Sequence, residues 1–307
     1  MAIIFTPSSG GLGDGIVGCR SAFILAKVLG VDFKIANGSV KFYNFFDIPD
    51  KYKSKSTPNF TYCYTPSKDN DNVFLKSDLN IFKNKKINII TGQNFSRFLY
   101  KNEYFKNKIN IPEMDVIQYL FENILIPKKS ILNKLTDLKQ KYDIQNKVAV
   151  HIRCNNVWND SNRNEGRFSV IKTINNFIQC IKTLNIDKVV LLSDNMNNVR
   201  PIFKQHNIEF IEIDGKVGHS LKTSNLDYEK TLLDMLLIGA CKFSIISFWS
   251  NYGRIGVLRK KKDFFIVMPV LNQPIEKFDY NVKMNLDIIF RKGNNHEILS
   301  KEGNSIL

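Results

Sequence analysis

The chain has 307 residues, 43% of them hydrophobic and 24% charged, which is enough core material for two ordinary domains and excludes a disordered chain. Its 44 Lys and Arg against 29 Asp and Glu give a net charge of +15, which favours anionic partners: phosphorylated small molecules, acidic lipid faces or nucleic acid. Five widely spaced cysteines with no Cys-x-x-Cys pair argue against a zinc knuckle or a redox dithiol and fit a reducing compartment.

Along the chain, a short apolar run (Ile3 to Phe5) leads into the turn-rich segment Pro7-Ser8-Ser9-Gly10-Gly11-Leu12-Gly13-Asp14-Gly15. Apolar residues then recur at helical spacing from Ile16 to Leu29, so a helix is expected to begin near Gly15 and stop at Gly30. Val31 to Ile35 reads as a strand, which completes the opening of a parallel βαβ unit. From Ser39 to Phe105, Lys, Asn, Tyr and Phe obscure the periodicity, apart from a strand-like piece at Ile87 to Thr91. Helices are expected over Pro112–Leu125 and Ile131–Lys141, with a domain boundary between Lys128 and Gln145.

The second half alternates regularly. Strands are predicted at Lys147–Ile152, Lys188–Leu192, Ile208–Ile213, Phe243–Ser247 and Phe264–Val267. Helices are predicted at Val170–Leu184, Val199–His206, Glu229–Ala240 and Tyr252–Arg259. Such alternation predicts an α/β fold of two Rossmann-like domains, each with a parallel sheet covered on both faces and facing the other across a cleft. Ligands in such sheets bind beyond the carboxyl ends of the strands.

Four constellations fall at such strand ends. Gly11 and Gly13 form an incomplete Gly-x-Gly loop, with Ile16 where a dinucleotide fingerprint has its third glycine. The segment reads as a plain tight turn, as a phosphate cradle, or as an acceptor-side loop in which Asp14 serves as a general base. In His151-Ile152-Arg153, strand alternation puts His151 and Arg153 on one side. An Arg there either forms a structural salt bridge or donates to a diphosphate, whose leaving-group charge it stabilises; His151 alone reads as a packed residue. Ser193-Asp194-Asn195 suits a helix cap or a carboxylate that accepts bonds from a base or ribose. In the stretch Asp234 to Gly253, Ser247, Phe248, Trp249, Ser250 and Tyr252 crowd the end of one strand. The hydroxyls suit a pyrophosphate and the rings a purine or sugar face, or else this is core plus a cap. Asp69-Asn70-Asp71 reads as an exposed polar loop, so no metal is expected.

The order of these motifs resembles the α1,2/α1,6-fucosyltransferase superfamily, which includes bacterial α1,2-type enzymes and the nodulation fucosyltransferase. The matching pieces are the Gly-Leu-Gly loop, His-Ile-Arg, Leu-Ser-Asp, and Asp234-Met235-x5-Cys241-Lys242-x-x-Ile245-x-Ser247-x-x-Ser250. The resemblance runs from Gly11 to Gly253 and implies a GT-B fold with an acceptor-side domain at residues 1–140 and a donor domain at 141–307. It implies an inverting, metal-independent transfer of fucose from GDP-fucose, with no cofactor beyond the donor, to a glycan or glycolipid acceptor. The resemblance makes Arg153 the phosphate ligand and puts Ser193, Asp194, Ser247 and Ser250 in the donor site, to which the strand-end reading adds His151, Asp234, Phe248 and Tyr252. The reading of the glycine segment adds Gly11, Gly13 and Asp14 as the acceptor-side loop, with Asp14 beside Arg153 as catalytic, the role the Asp has in the heptosyltransferase start. The chain departs from the family at Cys154, Asn156 and Asp14, where the family has Arg, Asp and Asn. Gly-Leu-Gly-Asp also resembles the heptosyltransferase start, whose C-terminal Gly-x-x-x-Gly-x-x-His signature is absent.

The rival classes are another GT-B sugar transfer, a catalytically inactive glycan- or nucleotide-binding protein, and a nucleic-acid binder. Lys is dispersed along the chain and no nucleic-acid motif occurs, so no nucleic-acid partner is expected. The N-terminus shows no basic-then-apolar leader and no run approaches the ~18 apolar residues of a spanning helix. A cytoplasmic protein is expected, and a peripheral association with a membrane face remains compatible with it.

Overall fold

A computed structural model describes residues 1–7, 10–36, 40–55, 60–82, 85–112, 115–154, 170–215, 225–247, 250–260 and 262–267, and the backbone strands within 288–306. The chain divides into two compact units, Met1–Leu132 with Gly218–Leu232, and Asn133–Val217 with Leu233–Leu307.

In the first unit the strands β1 (Ala2–Pro7), β2 (Asp32–Ile35), β3 (Phe46–Asp47), β4 (Phe60–Cys63), β5 (Lys86–Thr91) and β6 (Ile126–Pro127) alternate with α1 (Leu12–Leu29), α2 (Val40–Phe45), α3 (Lys68–Lys76), α4 (Ser96–Leu99) and α5 (Asp115–Asn123). The main sheet has the order β2-β1-β5-β4, parallel throughout, while β3 and β6 pair separately. The helix α1 is buried on almost every side because it lies against β5 and α5 as well as β1. That packing needs Gly18: a Cβ there would sit 2.2 Å from the Thr91 carbonyl oxygen.

The lysine- and aromatic-rich segment that resists periodicity analysis turns out to be core. Phe42, Phe45, Phe46, Phe74, Phe82 and Phe95 are buried, and Phe74 stacks on Phe95 with ring centroids 4.2 Å apart. Two expectations are corrected. The helix α1 begins at Leu12 rather than near Gly15, so Gly13 and Asp14 lie in its first turn instead of in a loop. Asp69-Asn70-Asp71 is the start of α3, capped by Ser67, and Asp71 accepts a hydrogen bond from the Tyr64 hydroxyl. The cap residue, which satisfies an exposed first-turn N–H, is what turns this polar run helical.

The second unit contains α6 (Lys129–Tyr142, which begins in the first), β7 (Val148–Ile152), α7 (Val170–Thr183), β8 (Lys188–Ser193), α8 (Met196–Gln205), β9 (Glu209–Ile211), α9 (Asn225–Ala240, shared between the units), β10 (Phe243–Ser247), α10 (Asn251–Leu258) and β11 (Phe264–Val267). Its parallel strands run β9-β8-β7-β10-β11. In chain order this is 3-2-1-4-5, the Rossmann arrangement. The antiparallel strands β12 (Ile288–Lys292), β13 (Asn295–Leu299) and β14 (Ser305–Ile306) extend the sheet beyond β11, so it is not parallel throughout as the alternation suggested. β7 is buried along its length, and its apolar side chains join those of α7, β8, α8 and β11 in one core.

Candidate functional site

In a 3-2-1-4-5 sheet the chain leaves the first strand in one direction and returns to its other side, so the loops after the first and fourth strands part and leave a crevice. Here those strands are β7 and β10. β7 ends in His151-Ile152 and runs into Arg153-Cys154; β10 ends at Ser247. The neighbouring β8 ends at Ser193, followed by Asp194. His151, Arg153, Ser193, Asp194, Ser247 and Ser250 therefore gather at one end of one sheet. Phe248, Trp249 and Asn156 lie outside the described residues.

Side chains from both adjacent strand ends hold the segment after β7. On the β10 side, the Arg153 backbone N–H donates to Ser247 Oγ (3.0 Å), and that hydroxyl reaches the His151 carbonyl (3.4 Å). On the β8 side, Cys154 N–H donates to Asp194 Oδ1 (2.7 Å), while Asp194 Oδ2 pairs with Arg153 Nη1 (2.7 Å). The Arg153 side chain is 29% exposed and Asp194 8%, so the cation is reachable and the carboxylate largely is not. Ser193 Oγ accepts from Asn195 N–H, and Asn195 itself caps α8. Ser250 caps α10 by accepting from Gly253 N–H (3.1 Å). α10 thus starts directly beyond β10, with its positive dipole end at the sheet's carboxyl edge.

His151 is 5% exposed, and its Nδ1 has no hydrogen-bond partner among the described residues. The ring lies against Tyr252, with centroids 5.2 Å apart and planes at 32°. Gly253 makes this possible, since a Cβ there would lie 3.0 Å from His151 Nδ1. Burial, and then the Arg153 charge, push the His151 pKa down to about 3, so the imidazole is neutral at physiological pH. Burial, reinforced by the Asp234 carboxylate, raises the Tyr252 phenol well above its usual range. Asp234 itself is buried on α9 at 2% exposure. The Cys154 thiol is driven to about 12, first by burial and then by Asp194, which rules it out as a thiolate nucleophile near neutral pH. The arrangement therefore offers the partly exposed Arg153 guanidinium, held by Asp194, beside hydroxyls and helix N–H groups, a combination suited to an anion.

The remaining predicted residues, Gly11, Gly13 and Asp14, sit in the first unit at the start of α1, beyond the carboxyl end of β1. The order β2-β1-β5-β4 gives that sheet its own parting point between β1 and β5. There, Ser21 of α1 donates to the Gln93 carbonyl (3.2 Å) and accepts from Ser96 N–H (3.3 Å), which ties the loop after β5 to the helix. Sequence patterning gave no sign of this role for Ser21, nor of the bridging role of Ser247, because each depends on strands far apart in the chain. A cavity of about 550 Å3, lined in part by Lys141, Tyr142, Lys147, Lys188 and Phe210, opens at the opposite, amino end of the second sheet, away from this cluster. Among the described residues there is no grouping of three or more His, Cys, Asp or Glu that could hold a metal, and no helix long and apolar enough to cross a membrane.

No protein-family model and no curated protein matches the sequence. Solved structures do match in fold. A mutant of FUT1 from Arabidopsis thaliana in complex with GDP superposes with a TM-score of 0.67 at 13% identity, covering 87% of this chain and 70% of that one. The NodZ alpha-1,6-fucosyltransferase soaked with GDP-fucose gives 0.56 at 13% identity, over 86% and 94%. Fucosyltransferase NodZ from Bradyrhizobium gives 0.56 at 12% identity, over 86% and 94%. The chain thus has the two-unit α/β GT-B fold of these fucosyltransferases.

Proposed function

We propose that the protein is a glycosyltransferase that takes its sugar from a nucleotide diphosphate donor, GDP-fucose, and passes it to a glycan or glycolipid hydroxyl. The observation that carries this reading is the position of Arg153. It is an accessible cation on a backbone pinned from both sides, at the parting point of a Rossmann-ordered sheet. The fold shared with a GDP complex and with a structure soaked with GDP-fucose supports the choice of donor.

In the reaction, the acceptor oxygen attacks the anomeric carbon from the face opposite the leaving group, so the configuration inverts. The bond from that carbon to the β-phosphate oxygen breaks, and GDP leaves with the electron pair. The charge on the departing diphosphate grows through this step. A guanidinium already fixed beside it stabilises the transition state more than the ground state, without a metal ion. α10's first-turn N–H groups add fixed dipoles of the same sign. The acceptor proton goes to a carboxylate base, a role we assign to Asp14.

Arg153→Ala is expected to lower kcat by about 10²–10³-fold, the scale seen when a fixed oxyanion donor is removed. Thermal unfolding of the variant without ligand should stay cooperative, at a Tm lowered by the loss of the partner of the largely buried Asp194 carboxylate. GDP should stabilise the parent against unfolding more than UDP, ADP or a short oligonucleotide does. Transfer that survives the Arg153 change nearly unaltered would overturn the assignment. A salt-sensitive oligonucleotide effect with no nucleotide effect would overturn the enzyme class.

A further inference from the structure

Asp194 stands at a strand end where a carboxylate could read a base or ribose, yet its geometry points elsewhere. Oδ1 accepts the Cys154 N–H at 2.7 Å and Oδ2 pairs with Arg153 Nη1 at 2.7 Å. Both oxygens are thus turned toward the segment after β7, and the side chain is only 8% exposed. Arg153, by contrast, has this as its one ion pair among the described residues and keeps 29% of its side chain open. A guanidinium has five N–H donors in a rigid fork, so one edge can be held while the other addresses a ligand.

We propose that Asp194 is a positioning residue. It orients the Arg153 fork toward the donor diphosphate and does not itself touch the nucleotide. This inference rests on the proposed donor site and sharpens it. An exposed Arg samples many rotamers, and a ligand that must order it loses that entropy on binding. The Asp194 pair removes most of that freedom beforehand. Ser247 does the same for the backbone from the opposite strand.

The carboxylate has a second, opposing effect. It lies near the expected diphosphate and repels it, so ground-state binding gains from orientation and loses from repulsion. These two largely offset each other in KM. The orientation matters most when charge has moved onto the leaving phosphate, so the effect of Asp194 falls on kcat.

The test uses Asp194→Asn, which keeps an oxygen for the Cys154 N–H, in the full chain with and without Arg153→Ala. We expect kcat for GDP-fucose transfer to fall about tenfold or more, while donor KM moves less than about threefold. In the Arg153→Ala background the same substitution should change kcat by less than about twofold, because the residue it acts through is gone. The preference for GDP over UDP in binding should be unchanged. An equal loss in both backgrounds, or a collapse of the GDP-over-UDP preference, would mean that Asp194 contacts the nucleotide and would overturn the proposal. A direct readout separates this from failure of the donor reading. The Arg153 Nε–Hε resonance of the ligand-free protein should show slowed guanidinium rotation that Asp194→Asn abolishes. If that resonance is unaffected, the positioning role fails whatever the enzyme transfers. If it responds while neither GDP nor GDP-fucose binds the parent, the donor reading fails, and with it the functional part of the proposal.

Discussion

Protonating His151 would put a charge in a buried pocket beside Arg153, and this makes the stability of the second unit depend on pH in a way that one substitution can isolate. The imidazole is 5% exposed, its Nδ1 has no partner among the described residues, and its pKa drops from an ordinary 6.5 to about 3. The sign follows from proton uptake. Above pH 6.5 neither folded nor unfolded His151 is protonated, and the full stability is present. Below it the unfolded chain binds a proton that the folded protein refuses, so stability is lost from pH 6.5 down to about 3. The loss is about 1.4 kcal/mol per pH unit, or about 2 kcal/mol at pH 5, which is about 4–8 °C in Tm for a unit of this size. His151→Asn removes the titrating group and leaves every other acid-sensitive carboxylate in place. Thermal or urea unfolding of parent and variant at pH 7.5 and pH 5 should show that the parent loses about 2 kcal/mol more than the variant. The variant's absolute stability does not enter the comparison. Equal losses in the two proteins would show that folded His151 accepts a proton as readily as the unfolded chain, and the reasoning from burial would be wrong.

Two further outcomes follow from the first unit. Gly18→Ala places a methyl 2.2 Å from the Thr91 carbonyl, so α1 must move off β5; urea denaturation should show a loss of about 1–3 kcal/mol, against the gain of about 1 kcal/mol that Ala brings to an exposed helix site. A variant as stable as the parent would mean that the two elements can separate without strain. Asp14→Asn should reduce sugar transfer by about 10²-fold or more while GDP affinity stays within twofold, and full activity in the variant would remove Asp14 from the base role.

Much of the second unit was readable in the chain itself. Its strands alternate with helices, and the runs Val148–Val150 and Val189–Leu192 are continuous apolar stretches of the kind a doubly covered sheet buries. The order His151, Arg153, Ser193, Asp194, Ser247, Ser250 already suggested a shared site, since strand ends are where α/β sheets collect ligands. The first unit was less readable for a physical reason. Its core is built from aromatic side chains in short, irregular pieces, such as Phe74 stacking on Phe95 and Phe82, and such contacts carry no period of 2 or 3.6. The helix starts at Leu12 although glycines signal turns in general; here Gly15 and Gly18 lie inside α1 and let it approach Phe42 and Thr91. The return of Gly218–Leu232 to the first unit left no mark in the composition.

Residue types and their order along the chain determined the α/β class, the buried strands and the candidate anion ligand Arg153. Which partner each polar group has was decided only by the tertiary structure. In the sequence, Ser193, Asp194, Ser247 and Ser250 are open to either a ligand-binding or a capping and packing role. Folding brings β8, β7 and β10 side by side and occupies them: Ser250 caps α10, Ser247 holds the Arg153 backbone, and Asp194 holds both the Cys154 amide and the guanidinium. Hydrogen bonding is short-ranged and directional, so which groups stay open to a ligand depends on strand neighbours that are 40 to 94 residues apart in the chain.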